Sequence, residues 1–171
     1  MNLQSNNFIL ELATSSVDNF TKTQKQFWDK LSSQFDITQP IPRSKFSPSD
    51  FVPFLPTIFL GDLIVDADGK LIDVITRLSG TKLVGVYGER KNQSLMAGTG
   101  AKDMSNQLKA VHERFCLLVN KMFIEQAPIY TFTDFVDDNK LYINATTLMI
   151  PMTSNNKDIN IALAYVEMNY K

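Results

Sequence analysis

The chain holds one histidine, His112, and one cysteine, Cys116. They stand four residues apart in KAVHERFC, a spacing that places both on one face of a helix. Such a pair could act as an activated thiolate or as a two-ligand half of a metal site. The bland alternative is a helix-flank imidazole beside a small apolar filler. Any Ser-His-Asp or Cys-His triad would have to pass through His112. One residue of each type excludes multi-histidine metal sites, Cys-rich zinc sites and an intrachain disulfide framework. A lone helix histidine could also serve as an axial haem ligand.

Other constellations fall short of their motifs. Gly98-Thr-Gly100 precedes a helical pattern, where phosphate cradles lie. The dinucleotide fingerprint needs a third glycine at position 103, which is Asp103, and Asp103 also occupies the Ser/Thr place after Lys102. Asp62, Asp66 and Asp68 resemble the start of a calcium loop, but residue 64 is Ile and no Glu follows at the required distance. No carboxylate pair, Asp134, Asp137 and Asp138 included, has an evident acid/base role. Arg77 is the most informative charge. It falls late in a strand pattern, VITRLSGTKL, on one face with Ile75. Pointing inward it could clamp a ligand carboxylate; otherwise it makes a strand-end ion pair. Arg43 could similarly tie a proline-rich linker to the sheet.

With 17 Lys+Arg against 18 Asp+Glu, the chain lacks the basic excess that captures nucleic acid or anionic membrane. Its 18 aromatic residues lack the basic interleaving of a stacking platform and read as core. No segment approaches the ~20 apolar residues that span a bilayer. The start, MNLQSNNFILELATSS, has no basic n-region, so a cytoplasmic location is expected. At 171 residues the chain can bury a core without staples.

The elements that would position these residues follow from periodicity. Residues 1–15 read as a tail or a short leading helix. Residues 17–35 read as an amphipathic helix, with Val17, Phe20, Gln24, Phe27, Leu31 and Phe35 on one stripe and Trp28 beside it. Its cover is either the chain's own sheet or the same helix of a second subunit. Five prolines between 40 and 56 argue against long regular elements, although SPSDFVPFL could form a helical turn capped by Ser47. Strands are expected at Thr57–Val65, Lys70–Ser79, Ile129–Val136, Leu141–Met152 and Ile159–Met168, joined as hairpins except where a helical insert separates the second from the third. That insert comprises a short helix, Thr81–Tyr87, closed by Gly88, and a long one, Asp103–Gln126. The last strand is apolar on both faces, which suits a central position. The class is α+β: a five-stranded antiparallel sheet with helices on one face. The expected division is 1–36, tail and amphipathic helix, and 37–171, the main domain.

Two segments then point to a family. Trp28-x-x-Leu31 is followed by IPRSKFSPSDFVPFLPTIFLGDL, and later comes RLSGTKLVGVYGERKNQSL. Pro42, Arg43, Phe46, Pro48, Asp50, Leu55, Pro56, Ile58, Phe59 and Leu60 in the first block, and Arg77, Gly80, Thr81, Leu83, Tyr87, Gly88 and Leu95 in the second, resemble the single-domain alphaproteobacterial PAS family. A late Met149-Ile-Pro151-Met152 stands where that family has Leu-Pro-Leu. Gln93 departs from its usual glycine.

The resemblance, over residues 27–168, implies a PAS sheet in the order 2-1-5-4-3. It implies a stand-alone sensory or interaction module that holds a small ligand between sheet and helical insert and regulates an unidentified signalling partner. It also implies dimerisation through the N-terminal helix, at Val17, Phe20, Phe27 and Leu31. A ligand pocket in this topology would be lined by Arg77, Tyr87, Met96, His112, Phe115, Phe132 and Thr147. The family does not fix the ligand or any cofactor. Haem or another chromophore on the long helix through His112 is one alternative, and a small α+β enzyme another, though a single His and scattered carboxylates give the latter little to work with.

Overall fold

The computed structural model describes residues 8–96, 106–134 and 143–170, with side chains from residue 113 onward in the long helix. Three helices are present among them: α1 (Lys22–Gln34), α2 (Thr81–Tyr87) and α3 (Asn106–Glu125). The strands are β1 (Phe8–Leu12), β2 (Ile41–Pro42), β3 (Ile58–Val65), β4 (Leu71–Ser79), β5 (Ile129–Thr133), β6 (Ile143–Thr153) and β7 (Ile161–Tyr170). They form one seven-stranded sheet in the order β4-β3-β7-β6-β5-β1, with β2 added beside β6. Every pairing is antiparallel except the two-residue β2–β6 contact.

The α+β class and the helical insert between the second and third long strands agree with the reading of the sequence. The five-strand count does not. The two extra strands, β1 and β2, come from the segments read as tail and linker. Phe8–Leu12 is not a leading helix: it pairs along the whole of β5, from Phe8 opposite Thr133 to Leu12 opposite Ile129. Two-fold alternation then sends Ile9 to one face of the sheet and Leu10 and Leu12 to the other.

The first hairpin forms as its turn residues dictate. Asp66 Oδ1 accepts from the backbone N–H of Asp68 and of Lys70, both at 2.9 Å, and Gly69 takes a φ of +78°. Strand β7 is central, between β6 and β3, and Ala162 to Val166 are all buried. This explains why its sequence is apolar on both faces.

Each face of the sheet carries its own core. On one, α1 and the irregular segment 41–57 cover Ile58, Leu60, Tyr130, Leu148, Ile150, Leu163 and Tyr165. Helix α1 is shorter than its stripe. Val17–Asn19 is a separate 3-10 turn, Phe20 is extended, and Thr21 starts the helix with a capping box: its side chain accepts from Gln24 N–H while Gln24 Oε1 accepts from Thr21 N–H. Phe27 and Leu31 are fully buried here. Phe27 stacks on Tyr165 at 4.7 Å between ring centroids and meets Phe51 and Phe54 edge-on. Of the two covers open to this stripe, the chain's own sheet is the one in place. Phe20 also packs on this core, against Trp28 and Tyr130, and Val17 is half-buried. The expected N-terminal unit therefore shares one core with the rest of the chain.

The proline-rich segment is a 3-10 run, Pro48–Thr57, kinked at Phe51. Pro48 takes the first helical position, but Ser47 does not cap the run; its hydroxyl pairs with that of Ser49 at 2.7 Å. Arg43 hydrogen-bonds the Phe46 carbonyl at 3.1 Å, within this segment rather than across to the sheet. The opposite face carries α2 and α3, which bury Leu83, Leu118, Val119 and Met122 against Phe59, Val74, Ile129 and Met149. Helix α3 ends at Glu125, and the next residue, Gln126, takes a φ of +52°.

Candidate functional site

Small side chains on the α2/α3 face leave that side of the sheet incompletely filled. Along β6 and β7 the alternation puts Leu148, Ile150, Leu163 and Tyr165 toward α1. It puts Ala145, Thr147, Ala164 and Val166 toward the insert. Close packing normally closes such a gap. Here a cavity of about 250 Å³ remains, floored by those residues with Phe59, Thr76, Thr131 and Met149. Leu83 and Tyr87 of α2, Phe115 and Leu118 of α3, and the connection Gly88–Leu95 wall it.

That connection is fastened to β4. Gly88, at φ +84°, closes α2. Asn92 N–H donates to the Thr76 carbonyl at 2.8 Å, Thr76 N–H to the Gln93 carbonyl at 3.1 Å, and Leu95 N–H to the Val74 carbonyl at 2.9 Å. Asp73 is the second anchor. Buried to 8 % exposure, its Oδ1 accepts from Val74 N–H at 2.7 Å, Ser94 Oγ at 2.8 Å and Met96 N–H at 3.0 Å. A buried carboxylate persists when several donors satisfy it.

The lining is mainly apolar, with hydroxyls and two arginines, Arg90 and Arg114, and no carboxylate among the described residues. Thr131 donates its hydroxyl to the Ile9 carbonyl at 2.6 Å. Thr76, fully buried, has an Oγ1 with no hydrogen-bond partner among the described residues. A buried hydroxyl left in that state is uncommon.

Of the seven residues expected to line a pocket, Tyr87, Phe115 and Thr147 do. Arg77 does not: it is exposed, its Nε donates to Asp62 Oδ2 at 2.6 Å and its Nη1 to Asn92 Oδ1 at 3.2 Å. Phe132 falls on the opposite face, against the α1 core, because β5 alternation turns Thr131 and Thr133 to the cavity instead. Met96 packs on the neighbouring core without lining the cavity. The side chain of His112 lies outside the described residues, as do Gly98-Thr-Gly100 and the expected turn at 137–140.

Cys116 is half-buried. Burial, helped by the negative charges of Asp73 and Glu113, pushes its thiol above the ordinary range. A nucleophilic thiolate needs the opposite surroundings. No group of three metal-ligating side chains occurs among the described residues, and no helix among them is long and apolar enough to cross a membrane.

Sequence reading missed Thr76, Arg90, Ala145 and Ala164. The signal was present as small residues at two-residue spacing, Ala145-x-Thr147 and Ala162-x-Ala164, on strands whose alternate positions are large. No family model, curated protein or solved structure matches the chain.

Proposed function

We propose that this chain is a PAS-type sensory module that takes a small ligand between its sheet and its helical insert. The observation that carries this reading is the cavity itself, set between β3–β7 and the α2/α3 insert. The strand order supports it. Leaving aside β1 and β2, the long strands run β4-β3-β7-β6-β5, which in their own order of appearance is 2-1-5-4-3. So do the two blocks that resemble the PAS family, which meet in space where the 3-10 run contacts α2.

The signal would leave through the other face. Ala164 and Val166 line the cavity, and Tyr165 between them carries Phe27 of α1. A ligand that favours one packing of α1 on the sheet shifts the population toward it, and a protein partner reads α1. Native mass spectrometry of the purified chain, set against its denatured mass, tests the reading. An extra mass of metabolite size is the expected result. A bare chain that also gains no thermal stability from a metabolite library would overturn it.

A further inference from the structure

We propose that the ligand is a small organic acid, one ring or a short branched chain in size, with its carboxylate held by Arg90 and Thr76. This deepens the ligand-binding reading and rests on it. Size comes first. A dry cavity of ~150 Å³ accommodates benzene, so about 250 Å³ holds one ring with a few further atoms.

The lining mixes apolar side chains, Phe59, Met149, Ala164 and Val166, with hydroxyls such as Thr131 and Thr147. Thr76 of β4 and Arg90 of the connection fastened to it are both on the cavity wall. The backbone brings these two together. Gln93 N–H donates to the Arg90 carbonyl at 2.9 Å, and Thr76 N–H donates to the Gln93 carbonyl at 3.1 Å. Arg90 is half-buried and forms no ion pair with a described residue.

The Thr76 Oγ1, buried and without a partner among the described residues, is the independent sign of a ligand group there. A hydroxyl and a guanidinium on the wall of one cavity match a carboxylate, which accepts from both. A neutral ligand would leave the arginine charge unanswered at a half-dry wall. A cation would meet it directly, with no carboxylate among the described lining residues to offset the repulsion.

Isothermal titration with 3-phenylpropionate and its neutral counterpart 3-phenylpropan-1-ol is the test, on the wild type and on Arg90→Gln and Thr76→Val. The acid is expected to bind at least tenfold tighter than the alcohol. Arg90→Gln should erase that preference while leaving the affinity for the alcohol in place, which also shows that the cavity is folded. Thr76→Val should weaken the acid several-fold and the alcohol less. Equal affinities in the wild type, or a preference that survives Arg90→Gln, would overturn the assignment of the carboxylate site. A metabolite-sized mass on the native protein with neither probe binding would overturn the acid class alone. A bare protein that binds neither probe would overturn the ligand-binding reading along with it.

Discussion

Gly80 lies against the backbone of Pro56 so closely that a Cβ at position 80 would stand 2.3 Å from the Pro56 carbonyl oxygen. Gly80 N–H also donates to the Ile58 carbonyl at 2.8 Å, and Gly80 is the residue from which α2 starts. The obstruction is backbone, which cannot swing aside as a side-chain tip can. Gly80→Ala is expected to cost about 1–3 kcal/mol, toward the upper end for a clash with main chain. A urea midpoint unchanged from wild type would contradict the close approach.

Phe27 gives the second expectation. Its ring is fully buried between Tyr165, Phe51 and Phe54. Phe27→Ala should destabilise the fold by about 3–5 kcal/mol, a large share of the ~5–15 kcal/mol that holds a typical domain. Thermal melting with sedimentation reads both possible roles of α1. A large drop in melting temperature is expected. An unchanged melt with a dimer falling to monomer would instead place Phe27 at an interface between copies.

Asp73 fixes the connection that closes the cavity. Asp73→Ala removes the acceptor used by Ser94 Oγ and Met96 N–H, at about 1–3 kcal/mol for each donor left buried and unpaired. Amide hydrogen exchange at residues 94–96 should accelerate well before the β6–β7 ladder does. Uniform acceleration across the chain would mean that Asp73 supports the whole fold rather than this segment.

Stability should decline in alkali. Burial raises the Cys116 thiol and the Tyr130 and Tyr165 phenols, with Asp73, Glu11 and Glu167 respectively adding to the shift. The folded chain then keeps protons that the unfolded chain has released, so unfolding free energy falls as pH rises. These contributions are full below the unfolded values, about 8.5 for a thiol and about 10 for a phenol, and are lost as pH climbs through the folded ones. Denaturation midpoints followed from pH 7 to 11 should drop past pH 8.5, and Cys116 should react with a disulfide reagent more slowly at pH 8 than a free thiol does. A flat profile would contradict the burial of these groups.

Much of the architecture was legible from residue spacing. The Asp66–Gly69 turn, the α2 helix closed by Gly88 and the central place of β7 each had a local cause: an Asx turn, a left-handed glycine, an apolar run on both faces. Strand β1 was not legible, because Phe8-Ile-Leu-Glu-Leu is too short to declare a period and its pairing with β5 spans more than a hundred residues. The cavity was half legible. Tyr87, Phe115 and Thr147 followed from topology. Phe132 failed on a one-residue parity that only the register of β5 fixes. Arg77 failed because Asp62, fifteen residues away, claims it across the hairpin.

Strand β7 makes the two halves of the molecule neighbours through a wall one peptide thick. Val166 faces the cavity, and the next residue back, Tyr165, bears the weight of α1. Whatever enters the cavity leans on a partition whose far side is the bed of the N-terminal helix, and the two chambers must share any change in the shape of that partition.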